Sequence, residues 1–267
     1  NKIRLFEKRV LLALSGGKDS VALAHLFHLL NVRFGIAHAN FQLRGNESNE
    51  DETFAKNLAE QYNVPFYSTR FNINKNEENI QLTARNLRYD WFKQVADENK
   101  FHYMATAHHL TDAAETALFN FIKGTGIKGI RGILPNRDRI IRPLLFASQK
   151  DILDFVDSYK LPFREDSSNK SLEYTRNKIR HQILPIIKEI NPAFEHTLQR
   201  QFSIYRALEL DLEKKTNQQR KRFLIKRNEE TFIPIRLLQK QKKPVDVLYE
   251  LLLPFGFNID QTKNIID

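Results

Sequence analysis

Three groups of side chains in this 267-residue chain have types and spacings suited to chemistry. The first is Ser15-Gly16-Gly17-Lys18-Asp19-Ser20, directly after the apolar run Val10-Leu11-Leu12-Ala13-Leu14 and before a stretch of helical spacing. Glycines that bare backbone N–H groups, followed by the positive end of a helix, make a cradle for phosphate oxygens. The loop is not a Walker A sequence, because Asp19 follows Lys18 and Leu12 stands where the leading glycine is required. Nor is it the dinucleotide pattern with three spaced glycines. Taken alone, a Gly-Gly pair is more often an ordinary strand-to-helix turn.

The second group is Thr106-Ala107-His108-His109-Leu110-Thr111-Asp112-Ala113-Ala114-Glu115-Thr116. Asp112 and Glu115 are three apart and share one face of a helix, able to point with the two histidines into a cleft at the strand ends. Metal binding is one reading, and a helix-capping Asp beside surface His is the other. The chain has no cysteine, which removes disulfides, thiolate zinc, iron–sulfur clusters and any thiol nucleophile. The third group is basic: Arg176, Lys178 and Arg180, then Arg220-Lys221-Arg222 and the run 240–243. Residues 200–243 hold 13 Lys or Arg against 5 Asp or Glu, so much of the net charge of +10 sits in one late segment. Such runs are either solvated faces or the footprint of a polyanion. Phe202, Tyr205 and Phe223 read as core rather than as stacking platforms.

The elements that must position these groups follow from hydrophobic spacing. Apolar runs predict strands over 10–14, 34–39, 65–69, 103–107 and 140–145, and helical spacing covers 21–27, 52–62 and 79–98. Ser148 predicts an N-cap for a helix reaching 159. The alternation implies an α/β fold, a parallel sheet with helices on both faces. After Pro192 glycine nearly vanishes and basic helical spacing dominates, so the expected division is a nucleotide-binding domain over 1–192 and a helical, basic appendage over 193–267. No apolar run approaches the roughly 18 residues of a membrane span, and no export signal opens the chain, so the expectation is a cytoplasmic protein. Asn1 in place of Met, and an amphipathic pattern still running at 264–267, lead us to expect a fragment of a longer chain.

Ser-Gly-Gly-x-Asp-Ser after an apolar strand resembles the signature of the PP-loop ATP pyrophosphatases, a Rossmann-like family that cleaves ATP to AMP and pyrophosphate while adenylating a substrate. Further strings are similar to its tRNA-modifying branch, and within it to the tRNA-isoleucine lysidine synthetases. They are the His-His-x-x-Asp-x-x-Glu-Thr string, His38-Ala39-Asn40-Phe41-Gln42-Leu43-Arg44, Ala84-Arg85-Asn86-Leu87-Arg88-Tyr89, Arg142-Pro143-Leu144-Leu145, Asp166-Ser167-Ser168-Asn169 and Thr175-Arg176-Asn177-Lys178-Ile179-Arg180. Departures are Lys123, where many relatives have Arg, and Asn40 and Phe41, at positions commonly filled by His and Gly.

The resemblance implies ATP and Mg²⁺ as cofactors, with Ser15, Gly16, Gly17, Lys18, Asp19, Ser20 and His38 at the nucleotide and Asp19 on the metal. It implies catalytic roles for Asp19, Arg85, Asp112 and Glu115. Asp112 and Glu115 would receive free lysine, with Glu115 favoured for that task and Asp112 divided between lysine and metal. Lys123, Arg176, Lys178, Arg180, Arg220, Lys221 and Arg222 would contact tRNA-Ile. A second copy in a homodimer is left open. The alternatives are a tRNA thiolation enzyme, disfavoured by the absence of cysteine, a small-molecule amide synthetase, which would not need the basic appendage, and a non-catalytic RNA-binding protein.

Overall fold

The computed structural model describes residues 5–73, 80–164 and 175–266, so the predicted match at 166–169 lies outside the described residues. In chain order the first elements are β1 (Arg9–Ala13), α1 (Lys18–Leu29), β2 (Arg33–Asn40), α2 (Asn46–Gln61), β3 (Phe66–Arg70), α3 (Ile80–Glu98), β4 (Tyr103–Ala105) and α4 (Leu110–Ile122). They are followed by α5 (Ile127–Ile130), β5 (Asn136–Arg137), β6 (Ile140–Ile141) and α6 (Gln149–Ser158). The sheet order is β3-β2-β1-β4-β6-β5, parallel throughout except for β5, which runs antiparallel to β6.

β1 is central and buried on both faces, which is why it reads as an unbroken apolar run. Its side chains alternate between two cores, as the two-residue period of a strand requires. Val10 and Leu12 pack with α1, α2 and α6, through Val21, Phe27, Ala55, Leu58, Ile152 and Val156. Leu11 points the other way, to Phe92, Val95 and Ala96 of α3 with Phe101 and Met104. Helices therefore cover both faces, and the C-terminal strand ends form one rim. β6 stops after two residues, shorter than the predicted strand over 140–145, because Arg142 donates its N–H back to Pro135 and Pro143 has no N–H to offer a ladder. Ser148 caps α6, accepting from the Asp151 N–H at 3.2 Å.

Beyond the sheet come α7 (Thr175–Lys178), a π-helical turn (Ile179–Ile183), α8 (Leu184–Ile190) and α9 (Phe194–Phe223). Ile179 and Leu184 bury themselves against Ala114 of α4, with Phe194 and Leu198 packed on the same cluster. The chain divides into two compact units, 1–202 and 203–267. That boundary falls ten residues later than expected from composition, because the start of α9 joins the first core.

The second unit has its own small core of Phe223, Leu238, Leu248 and Leu251. It contains the hairpin of β7 (Ile225–Arg227) and β8 (Glu230–Phe232), then α10 (Ile235–Gln239), α11 (Pro244–Leu252) and α12 (Ile259–Ile266). The expectation was helix alone; the hairpin is an addition. Among the described residues no helix is long and apolar enough to cross a membrane.

Candidate active site

The loop between β1 and α1 is held by its own serines. Ser20 donates its hydroxyl to the Gly17 carbonyl at 2.9 Å and accepts the Ser15 N–H at 3.3 Å, while Ser15 Oγ accepts the Gly17 N–H at 3.4 Å. Gly16 has φ +92°, a region an L side chain rarely adopts. Its carbonyl accepts the Arg164 N–H at 2.9 Å. Arg164 is itself anchored, Nε to Asp51 Oδ1 at 3.1 Å, and the other Asp51 oxygen takes Arg44 Nη2 at 2.6 Å. Asp51 is thus a buried carboxylate between two arginines, steadying the loop from behind.

Asp19 opens the first turn of α1, with Oδ1 3.7 Å from Lys18 Nζ and Oδ2 3.8 Å from His109 Nε2. Asp19 Oδ1 is buried without a hydrogen-bond partner among the described residues. An orphaned carboxylate oxygen beside a phosphate cradle fits Mg²⁺, which is commonly held by one or two carboxylates plus substrate phosphates. No cluster of three or more His, Cys, Asp or Glu suited to an all-protein metal cage occurs among the described residues.

α4 brings the second constellation to the same rim. Asp112 Oδ2 accepts the His109 N–H at 3.0 Å and lies 3.6 Å from His109 Nε2, so the His109 ring stands within 4 Å of both Asp19 and Asp112. Burial alone would raise the Asp112 carboxyl, but His109, His108 and Arg176 together hold it below the ordinary range. The π-turn lays arginines over the same helix. Arg180 Nη2 donates to Asp112 Oδ1 at 3.1 Å and to Glu115 Oε2 at 3.0 Å, and Arg176 Nε donates to Glu115 Oε2 at 3.2 Å.

This placement departs from the expectation in two ways. Glu115 is 0% exposed, and both its oxygens accept from guanidinium groups, so neither is left open to an incoming lysine as expected. Arg176 and Arg180 were expected on tRNA phosphates, and here they neutralise the helix carboxylates. Asp112, with its side chain 15% exposed, is the more accessible acid of the pair.

Other expected residues are spread more widely. His38 is buried, its Nδ1 2.9 Å from the Leu14 carbonyl, so the ring braces the end of β1 instead of lining open space. Burial lowers its pKa, with the Leu14 carbonyl acting in opposition. Arg85 is exposed on α3 with its guanidinium 4.9 Å from the Tyr89 ring. Lys123 caps the far end of α4, exposed, about 16 Å along the axis from Asp112 at ~1.5 Å per residue. Lys178 is exposed on α7. In the second unit Lys221 and Arg222 are exposed, whereas Arg220 donates to the Glu250 carbonyl at 3.3 Å and serves that unit's packing.

Spacing did not single out Arg142, Asp51 or Arg164. The available signal was position: Arg142 directly follows the apolar pair of β6, at the C-terminal edge where open α/β sheets bind ligands.

Burial pulls the His108 pKa down to about 4, opposed by Asp112 and reinforced by Arg142, Arg85 and Arg176. The unfolded chain, with His near its ordinary 6.5, binds more protons than the folded one between pH 6.5 and about 4, so stability falls as pH drops through that window. Thermal melts should be flat above pH 7 and decline below 6.5. His108→Gln should flatten part of the decline, and an unaltered profile would contradict the assignment.

Residues 2–187 match the PP-loop domain family, and residues 226–267 match the TilS substrate binding domain. The chain is 38% identical over 263 residues to the tRNA(Ile)-lysidine synthase of Bacteroides thetaiotaomicron, covering 97% of this chain and 61% of that protein. It is 38% identical over 264 residues to that of Porphyromonas gingivalis W83, covering 97% and 57%. The chain therefore spans about three fifths of the length of these curated relatives. Among solved structures, the U34-tRNA thiolase NcsA from Methanococcus maripaludis shares the fold, with TM-score 0.65 and 19% identity over 78% of this chain and 74% of that one.

Proposed function

The chain belongs to the PP-loop family, and on that premise we propose that it acts as a tRNA(Ile)-lysidine synthase, joining free lysine to C2 of the anticodon wobble cytidine of tRNA-Ile at the expense of ATP. The observation that carries this reading is the meeting of two charged groups at one rim: the phosphate loop with its orphaned Asp19 oxygen, and the Asp112–His109 pair of α4. Both lie in a chain similar to lysidine synthases over nearly its whole length.

In the first step the cytidine O2 attacks the α-phosphorus of ATP, the α–β bridge breaks and pyrophosphate leaves. Backbone N–H groups of the loop and Lys18 stabilise the charge that gathers on the leaving group. Asp19 would hold Mg²⁺, which when bound neutralises phosphate charge. In the second step the lysine ε-nitrogen attacks C2, AMP departs with O2, and the nitrogen gives up a proton. Asp112, kept ionised by its cationic neighbours, is the anion we assign to hold the ammonium of the incoming lysine, and the released proton passes to solvent. Glu115 positions Arg176 and Arg180.

The thiolation alternative has a specific obstacle. The related thiolase is recorded with a 4Fe–4S cluster, and this chain has no cysteine to hold one. tRNA is a cytoplasmic substrate, which sets the compartment of the proposal.

Labelling ATP at the α-phosphate tests the first step. Label should pass to tRNA-Ile when lysine is omitted and be released as AMP when lysine is added; labelling of an amino acid in place of tRNA would overturn the order of steps. For the appendage, Lys221→Glu with Arg222→Glu should weaken tRNA binding and lower the salt slope by roughly 1.5, at ~0.7–0.9 per phosphate contact. An unchanged slope assigns the pair to plain surface. Arg220 is excluded from that test because its loss would disturb packing against Glu250.

A further inference from the structure

A buried cation at the rim has no counter-charge, and none of the roles above uses it. Arg142 is 9% exposed at the end of β6. Its Nη1 donates to the Leu134 carbonyl at 2.7 Å, while Nε is buried without a partner among the described residues. No described carboxylate forms an ion pair with it. The groups felt most strongly at its guanidinium are the nearby Tyr89 hydroxyl and two further cations, Arg85 and Arg137. Removing a guanidinium from water without an anion is costly, and a site that keeps one in this state is completed by a bound oxyanion.

The neighbouring groups say which oxyanion. The His108 ring feels the charges of Arg142, Arg85 and Asp112 together, so all three lie within electrostatic reach of it. Its Nδ1 is 2.8 Å from Thr106 Oγ1. The rim thus gathers two cations, an imidazole and a carboxylate within reach of one another. A free amino acid offers the complement, a carboxylate and an ammonium on one carbon. The phosphate loop at β1 already serves the phosphates of ATP.

The geometry points to Arg142, assisted by Arg85 and oriented by Tyr89, as an oxyanion subsite at the ends of β4 and β6 that takes the α-carboxylate of the free amino acid. The α-ammonium then faces Asp112, whose oxygens each retain a lone pair beyond the bonds already made. The side-chain amine is left to reach the reacting carbon. This assignment rests on the ligase reading for the identity of the amino acid, and the oxyanion chemistry is shared with a phosphate of AMP or of tRNA.

The test is equilibrium binding, which needs no turnover. Lysine, lysine amide and AMP are titrated separately into the wild-type protein and into Arg142→Gln. Wild type should bind lysine about 10- to 100-fold more tightly than lysine amide, the range for a charge-assisted hydrogen-bonded pair. In Arg142→Gln that preference should vanish, with lysine amide and AMP affinities unchanged. A fall in AMP affinity with the lysine preference intact would keep the oxyanion subsite but give it to phosphate, overturning the carboxylate assignment. Loss of neither would overturn the subsite and leave Arg142 as a tie for the Leu134 carbonyl. Where Arg142→Gln melts far below wild type, Tyr89→Phe takes its place, removing the orienting hydroxyl alone; it should reduce the lysine preference several-fold, and an undiminished preference counts against the subsite. Failure of lysine transfer to tRNA beside an intact carboxylate preference would sink the ligase reading and leave this inference standing.

Discussion

Asp19→Ala should abolish adenylation, lowering pyrophosphate release by about 10³-fold or more, while tRNA affinity stays within about twofold of wild type. The size follows from the several kcal/mol of charge stabilisation that a metal at developing phosphate charge supplies. Asp19 is the loop acid with a buried, unpartnered oxygen, and its other contacts are ion pairs at 3.7 and 3.8 Å, too long to be structural hydrogen bonds. Removing it should therefore leave the melting temperature nearly unaltered. Equal losses in adenylation and in tRNA binding would mean that the loop acid is structural and that the phosphate site lies elsewhere.

The second large effect belongs to stability. Arg180→Met takes away the guanidinium that contacts both Glu115 oxygens and one oxygen of Asp112. Glu115 is then a fully buried carboxylate with Arg176 as its remaining arginine. Breaking a buried pair by removing one partner costs about 3–5 kcal/mol, whereas replacing both by apolar groups is often close to neutral. Arg180→Met should lower the melting temperature by about 10 °C, taking ~2–4 °C per kcal/mol for a domain of this size. Adding Glu115→Met should recover most of the loss. The doubly substituted protein should remain poorly active, because Asp112 has lost the arginine that orients it. If the double variant is as unstable as the single one, the ion pair is not what carries the effect.

The same residues show how far the sequence could be read. β1 and the loop were legible because a central parallel strand is apolar on both faces and ends at glycines that need unusual backbone angles, as Gly16 does. β5 could not be read: Asn136 and Arg137 are two exposed polar residues whose strand geometry comes from pairing with β6. The β7–β8 hairpin was equally silent. Its turn carries Asn228 at φ +55° but no glycine to announce it.

In the site, local motifs pointed to Asp19 and Asp112, which stand in the first turns of α1 and α4, and to Glu115 one turn further along α4. What they could not show is which charges cancel. Arg176 and Arg180 are 60 or more residues from their carboxylate partners, and in sequence they are indistinguishable from the solvated basic residue Lys178 between them. Glu115 read as a lysine-receiving carboxylate because spacing reports a shared helix face and says nothing of the arginines arriving from a distant segment. Arg142 was legible as part of a family string but carried no assigned role, because only its burial beside the Leu134 carbonyl reveals a cation without a counter-charge.

The most direct measurement of the central claim is transfer of radiolabelled lysine to tRNA-Ile by this protein, with and without ATP. Label should enter the tRNA only when ATP is present, survive nuclease digestion on a single modified cytidine, and disappear when Asp19 is replaced by Ala. Lysine-independent ATP turnover with no label in the tRNA, or label on a small molecule in its place, would contradict the account.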